Sequence, residues 1–180
     1  IDEIYFRKKT AAKVILLPVC VRVNSEYHNY NFVNDIFFLG ALDWFPNAEG
    51  LHWFFENIWP DISKEFPAYN FYIAGRKMPQ WLHNLKSDKV IPLGEVQDAK
   101  EFMLAHGIMV APILTGSGIR IKIVEAMALG KVVIATTVAI QGLEATDGVN
   151  ILIADSAEAF IKQIRKCENE DFRRKIGENA

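Results

Sequence analysis

The amino-acid sequence predicts an α/β domain: a doubly wound, parallel, six-stranded sheet with helices on both faces. Three observations carry that prediction. Six short apolar runs alternate with amphipathic stretches at helical spacing, which is the pattern of βαβ units. The runs are apolar throughout rather than at every second residue, so their strands are covered on both sides. Four of the loops that leave these runs carry glycine, at Gly40, Gly75, Gly94 and Gly116, as expected where a chain turns from strand into helix.

Residues 1–12 read as the polar end of a helix, and Lys13-Val14-Ile15-Leu16-Leu17-Pro18 as an apolar strand segment stopped by proline. The segment from Asn24 to Asn34, which holds His28, is rich in Asn and Tyr and reads as a loop. Asp35 to Gly40 is a buried strand. Asn47 is expected to cap the next helix, whose apolar positions Leu51, Phe54, Phe55, Ile58, Ile62 and Phe66 recur in threes and fours, with a kink at Pro60. Trp53 and Trp59 belong to the packing of that helix. Trp44, in the loop after the strand, has a better claim to touch a ligand. The remaining strands are Phe71–Gly75, Val90–Gly94, Ile108–Ile113, Val132–Ala135 and Asn150–Ala154. Helices are expected over Gln80–Leu85, over Asp98–His106, after Gly118, over Ala157–Glu168 and from Phe172. His52, His83 and His106 fit surface helix positions, and no catalytic role falls to them.

Composition excludes several classes. With 51% hydrophobic and 23% charged residues and a net charge of −2, nothing marks a nucleic-acid binder. No apolar run reaches the length of a membrane span. Cys20 and Cys167 lie far apart in sequence, with neither disulfide nor metal spacing, and a reducing compartment is expected.

The chemistry concentrates in the stretch from Gly116 to Thr137. A glycine turn between a strand and a helix start exposes backbone N–H groups at the positive end of the helix dipole, which makes an anion site. Arg120 and Lys122 stand at that helix start, with Glu125 one turn further in. A surface pair of Lys122 with Glu125 is the plain alternative. However, cations near a helix start oppose the dipole, and Lys placed before Glu is the poorer order for such a pair. An anionic ligand would compensate.

The block GSGIRIKIVEAMALGKVVIAT also resembles the donor-site segment of retaining glycosyltransferases of family 4, which have the GT-B fold. Their signature is Glu-x7-Glu followed by Ala-Met-Ala-x-Gly. Glu125 and Ala126-Met127-Ala128-Leu129-Gly130 match its second half, while Ser117 stands where the first Glu would be. There the chain resembles the branch that reads Gly-Ser/Ala-Gly-x-Arg-x-Lys-x-x-Glu. The resemblance runs from about Val14 to Ala180 and implies the Rossmann-like, C-terminal half of a GT-B enzyme. Residues 1–34 would be the inter-domain crossover and the edge of an N-terminal acceptor domain, and residues 35–180 the donor-binding domain.

By this resemblance the full-length protein is a hexosyltransferase-type enzyme of polysaccharide biosynthesis. It transfers a sugar with retention and without a metal, from a UDP- or GDP-linked donor, and holds no tightly bound cofactor. Its partners are that donor and the missing acceptor domain, not nucleic acid. The resemblance places it in the cytoplasm and is compatible with peripheral association of the whole enzyme with the inner face of the membrane. This chain alone would transfer nothing. Arg120, Lys122 and Glu125 form the catalytic set: the two cations face the leaving diphosphate, and Glu125 accepts hydrogen bonds from the ribose hydroxyls. The base lies along Glu95 and Val96, and Gly116, Ser117, Gly118 and Ile119 face the diphosphate and sugar. Gly40 opens the first loop, where Ala41 and Glu49 replace two cations common in the family, and Arg76 is a third candidate cation. The alternatives are a nucleotide-sugar epimerase, a phospho-acceptor receiver domain, which would need acids where Gly40 and Gly94 stand, and a non-catalytic assembly domain of the same fold.

Overall fold

The computed structural model describes residues 2–15, 20–21, 33–85 and 87–180. Helix α1 spans Asp2–Lys9, β1 Asp35–Leu39, α2 Phe45–Asn57, α3 Trp59–Glu65, β2 Asn70–Ala74, α4 Gln80–His83 and β3 Val90–Gly94. Then come α5 Ala99–Ala105, β4 Ile108–Ala111, α6 Ile121–Ala128, β5 Val132–Ala135, β6 Leu152–Ile153, α7 Ala157–Lys166 and α8 Glu170–Asn179. The six strands form one parallel sheet in the order β3-β2-β1-β4-β5-β6. The expected fold class is therefore the observed one.

Residue alternation divides the core into two layers. Ile36, Phe38, Val110 and Ile134 face one side, where Leu51, Phe54, Ile62, Phe160 and Ile176 of α2, α3, α7 and α8 cover them. Phe37, Leu39, Met109 and Val133 face the other, under Phe102 and Met103 of α5 and Ile123 and Ala126 of α6. Every residue of β1, β4 and β5 is buried, as the unbroken apolar runs require. Trp53 and Trp59 belong to the first layer, Trp59 at 5.4 Å from the Phe71 ring. Helix α2 lies so close to the exit of β4 that a β-carbon at Gly50 would collide with the Pro112 carbonyl oxygen. One at Gly75 would collide with the Gly40 carbonyl oxygen.

Some expectations need correction. Residues 13–15 form no strand, and the rest of that segment (16–18), like most of the expected loop with His28, lies outside the described residues. Asn47 does not cap α2. The helix starts at Phe45 with Pro46 in its first turn, and the Asn47 amide donates instead to the Ala41 carbonyl at 2.8 Å. Pro60 does more than kink the helix: the chain breaks at Ile58 and restarts as α3, because proline lacks the N–H that would continue the ladder. β4 stops at Ala111, where Pro112 follows and Ile113 N turns back to the Ala111 oxygen. Asn150 is a turn residue, its side chain bonded to Thr146 N at 2.8 Å and Glu144 O at 3.2 Å, so β6 is short.

His106 is not a surface residue. Its Nδ1 lies 2.7 Å from Asp35 Oδ2 at the amino edge of the sheet, and its ring packs on Tyr72 at 4.2 Å. Gly107 N donates to Asp35 Oδ1 at 2.6 Å. The Lys131 ammonium sits in the same cluster and donates to the Leu104 and His106 carbonyls at 3.1 and 2.8 Å. Burial lowers its pKa from 10.5 to about 8, against the opposing pull of Asp35.

Candidate functional site

In an open α/β sheet, ligands bind beyond the carboxyl ends of the strands where the strand order reverses. Here that point lies between β1 and β4, whose onward connections run to opposite edges of the sheet. A cleft of about 420 Å³ occupies it. One wall is the end of β1 and the loop after it, with Gly40, Ala41, Trp44 and Asn47; the other is Ser117, Ile119, Arg120 and Lys122. Its floor is apolar, built from Phe38, Leu39, Val110 and Ile123.

The loop that leads into α6 owes its shape to Gly116 and Gly118, at φ +100° and +89°, a region that side-chain-bearing residues rarely enter. Arg120 closes this loop. Its Nη1 donates to the Ser117 and Gly118 carbonyls at 2.6 and 2.7 Å. Its Nε and Nη2 are buried and have no hydrogen-bond partner among the described residues. Burial lowers the guanidinium pKa from its ordinary value. Arg120 is the residue just before α6 rather than in its first turn, and its side chain does not cap the helix. Side chains do cap α5, α7 and α8, through Asp98, Ser156 and Asn169. α2 and α6, whose amino ends border the cleft, have no such cap, and neither do α3 and α4.

Lys122 lines this cleft and a second hollow of about 400 Å³ between α5 and α6, where Glu125, Gln97, Asp98 and Lys100 join it. Lys122 Nζ lies 2.7 Å from Glu125 Oε2, so the two pair in the free chain. Gly40, Ser117, Ile119, Arg120 and Lys122 thus share one cleft, and Glu125 faces the adjoining hollow. Arg76, at the end of β2, is outside the cleft and lies 3.6 Å from Asp43. Glu95 is exposed after β3, and Val96 packs against the α5–α6 core layer. The Thr136 hydroxyl donates to the Ile113 oxygen and accepts from Ala139 N, and Thr137 bonds Asp155 through both N and Oγ1, so that loop is occupied with its own structure.

Two contacts across the cleft were not anticipated. The Trp44 ring covers Arg120, with 4.8 Å between the guanidinium carbon and the ring centroid. Glu49 Oε2 accepts a hydrogen bond of 2.6 Å from Thr115 Oγ1. No local pattern announces such pairings, because the partners lie some 70 residues apart in sequence and meet only through the β1–β4 adjacency.

The profile of the glycosyl transferases group 1 family matches residues 33–170. An uncharacterized 44.6 kDa protein in the cps region of Klebsiella pneumoniae is 26% identical over 165 residues, which is 85% of this chain and 42% of that protein. The chain thus spans less than half the length of that relative. Among solved structures, the C-terminal domain of a glycosyl transferase group 1 family protein (LpcC) from Francisella tularensis superposes with a TM-score of 0.65. It is 22% identical, with 81% of this chain and 80% of that one covered. Anabaena Alr3699/HepE in complex with UDP-glucose gives a TM-score of 0.66 at 20% identity, covering 86% of this chain and 43% of that one.

Proposed function

Because this chain belongs to the glycosyl transferases group 1 family, we propose that it is the nucleotide-sugar-binding domain of a retaining, metal-independent glycosyltransferase. Residues 35–180 bind a UDP- or GDP-linked sugar, residues 1–34 lead from an acceptor domain, and the chain alone transfers nothing. The observation that carries this reading is Arg120: a cation with two buried, unpartnered nitrogens at the switch point of the sheet. A buried donor without an acceptor costs free energy unless a ligand completes it. A diphosphate oxygen is such an acceptor, and the uncapped ends of α2 and α6 favour the same charge.

In this reading Arg120 and Lys122 hold the diphosphate and stabilise it as it leaves, by preorganised electrostatics rather than by a metal ion. Glu125 exchanges Lys122 for the ribose diol. The base rests along Glu95 and Val96, and Gly116 to Ile119 face the phosphates and sugar. The Klebsiella relative's place in a cps region and the UDP-glucose bound by HepE support a role in polysaccharide synthesis and a UDP donor. No helix among the described residues is long and apolar enough to cross a membrane, and the whole enzyme is proposed to work in the cytoplasm, peripherally at the inner membrane face.

Calorimetry against UDP, GDP and ADP tests the reading. Binding of UDP or GDP is expected, and Arg120→Ala or Lys122→Ala should each weaken it by about 1–3 kcal/mol, the range for a charge-assisted hydrogen bond. Unchanged affinity in both variants would move the phosphate site, with Arg76 the next candidate.

A further inference from the structure

The wall that follows β1 carries no cation into the cleft: Ala41 and Trp44 line it, and Glu49 reaches across it. We propose that this wall acts on the ligand through Arg120, and that Trp44 is the positioning residue that aims the guanidinium at the phosphates. The inference rests on the phosphate-binding role given to Arg120 above.

The geometry is specific. An arginine side chain has several rotatable bonds and loses considerable freedom when held in place. Arg120 is held at three points: Nη1 is fixed by the Ser117 and Gly118 carbonyls, and the guanidinium carbon lies over the Trp44 ring, 4.8 Å from its centroid. The two carbonyls take up Nη1, while Nε and Nη2 are buried without a hydrogen-bond partner among the described residues, so a ligand completes them once the groups covering that edge move aside. A ring beneath a guanidinium also keeps water from that face and attracts the cation through its quadrupole, most strongly for tryptophan. Trp44 is itself 40% exposed, so packing alone is a poor account of its place there. The walls also meet away from the ring, where α2 rests at Gly50 against the Pro112 carbonyl and Thr115 bonds Glu49. Trp44 is therefore free to act on Arg120 without having to hold the cleft open.

The test is a set of Trp44 variants titrated with UDP and with inorganic pyrophosphate, in the native and Arg120→Ala backgrounds. Trp44→Leu keeps apolar bulk but has no ring, and should weaken pyrophosphate binding roughly twofold to thirtyfold, the span of cation–π energies. Trp44→Phe should restore most of the loss. In the Arg120→Ala background the Trp44 substitutions should have no further effect. If Trp44→Leu binds pyrophosphate like the native chain while Arg120→Ala binds weakly, the positioning role is wrong and the phosphate reading stands. If UDP affinity falls but pyrophosphate affinity does not, Trp44 touches the nucleoside instead, and the proposal is likewise overturned. Unchanged pyrophosphate binding in Arg120→Ala removes both readings. Trp44→Phe keeps an aromatic ring at this 40% exposed position, and its pyrophosphate affinity set against that of Trp44→Leu measures the ring.

Discussion

The two edges of the sheet treat buried charge in opposite ways. At the amino edge both oxygens of Asp35 are engaged, by Gly107 N and the His106 ring, and the Lys131 ammonium donates to two carbonyls. At the carboxyl edge Arg120 is engaged through Nη1, and its Nε and Nη2 are buried with no hydrogen-bond partner among the described residues. Both edges remove a cation from water, and burial lowers the pKa of both Lys131 and Arg120. The difference is completion. Asp35 and Lys131 find their partners within the chain, whereas the two buried nitrogens of Arg120 at the switch point are ones that an external anion would complete.

That contrast is broken most directly by mutating each edge. Asp35→Ala should destabilise the chain by about 3–5 kcal/mol, since it leaves a buried ammonium and a buried N–H without their anion. Arg120→Ala should change stability by less than about 1 kcal/mol, because an incompletely paired guanidinium contributes little to folding. Denaturant melts of the two variants decide the matter. Equal losses would mean that the carboxyl-edge cation is structural too.

Glu125 sharpens the contrast within the carboxyl edge. If it leaves Lys122 for the ribose, Glu125→Gln should weaken UDP binding by about 1.5–3 kcal/mol, the cost of hydrogen bonds to a charged partner. It should weaken 2′-deoxy-UDP binding less. Equal losses for the two nucleotides would show a general electrostatic effect and end the diol assignment.

A pH dependence is also expected, and it belongs to the amino edge. Lys131 is lowered to about 8 in the folded chain from 10.5, so above pH 8 the unfolded state binds more protons at this site and stability rises with pH. The rise ends near the unfolded value, and below pH 8 the penalty of the buried charge is present in full. The Cys167 thiol, raised by burial to about 12 from 9.0, acts the other way above its unfolded value. The comparison of native chain and Lys131→Met isolates the lysine: between about pH 7 and about pH 9 the native chain should gain roughly 1 kcal/mol on the variant. A constant difference would mean that the ammonium keeps its proton.

The legible part of the fold was what local pattern controls. Apolar runs and glycine exits foretold the strands of the sheet, and the Gly116–Lys122 block led to the cleft at the switch point, because its residues are contiguous. The limits of elements were less legible. Asn47 is an ordinary capping residue, and only its tertiary bond to Ala41 explains why it does not cap. His106 looked like a helix-end cation because its partner Asp35 lies 71 positions away; an acid opening an apolar strand was the available clue. Trp44 over Arg120 and Thr115 bonded to Glu49 depend on β4 lying beside β1, which follows from strand order and not from any window of sequence.

The close approach at Gly50 has a consequence for how such a domain diversifies. With α2 resting against the Pro112 carbonyl, and the β2 exit against Gly40 in the same way, the cleft has a fixed gauge that no single side-chain change can widen. A lineage that takes up a bulkier or differently charged donor must do so at the few side chains that project from the rim. Ala41, Trp44, Ser117 and Ile119 are those positions here.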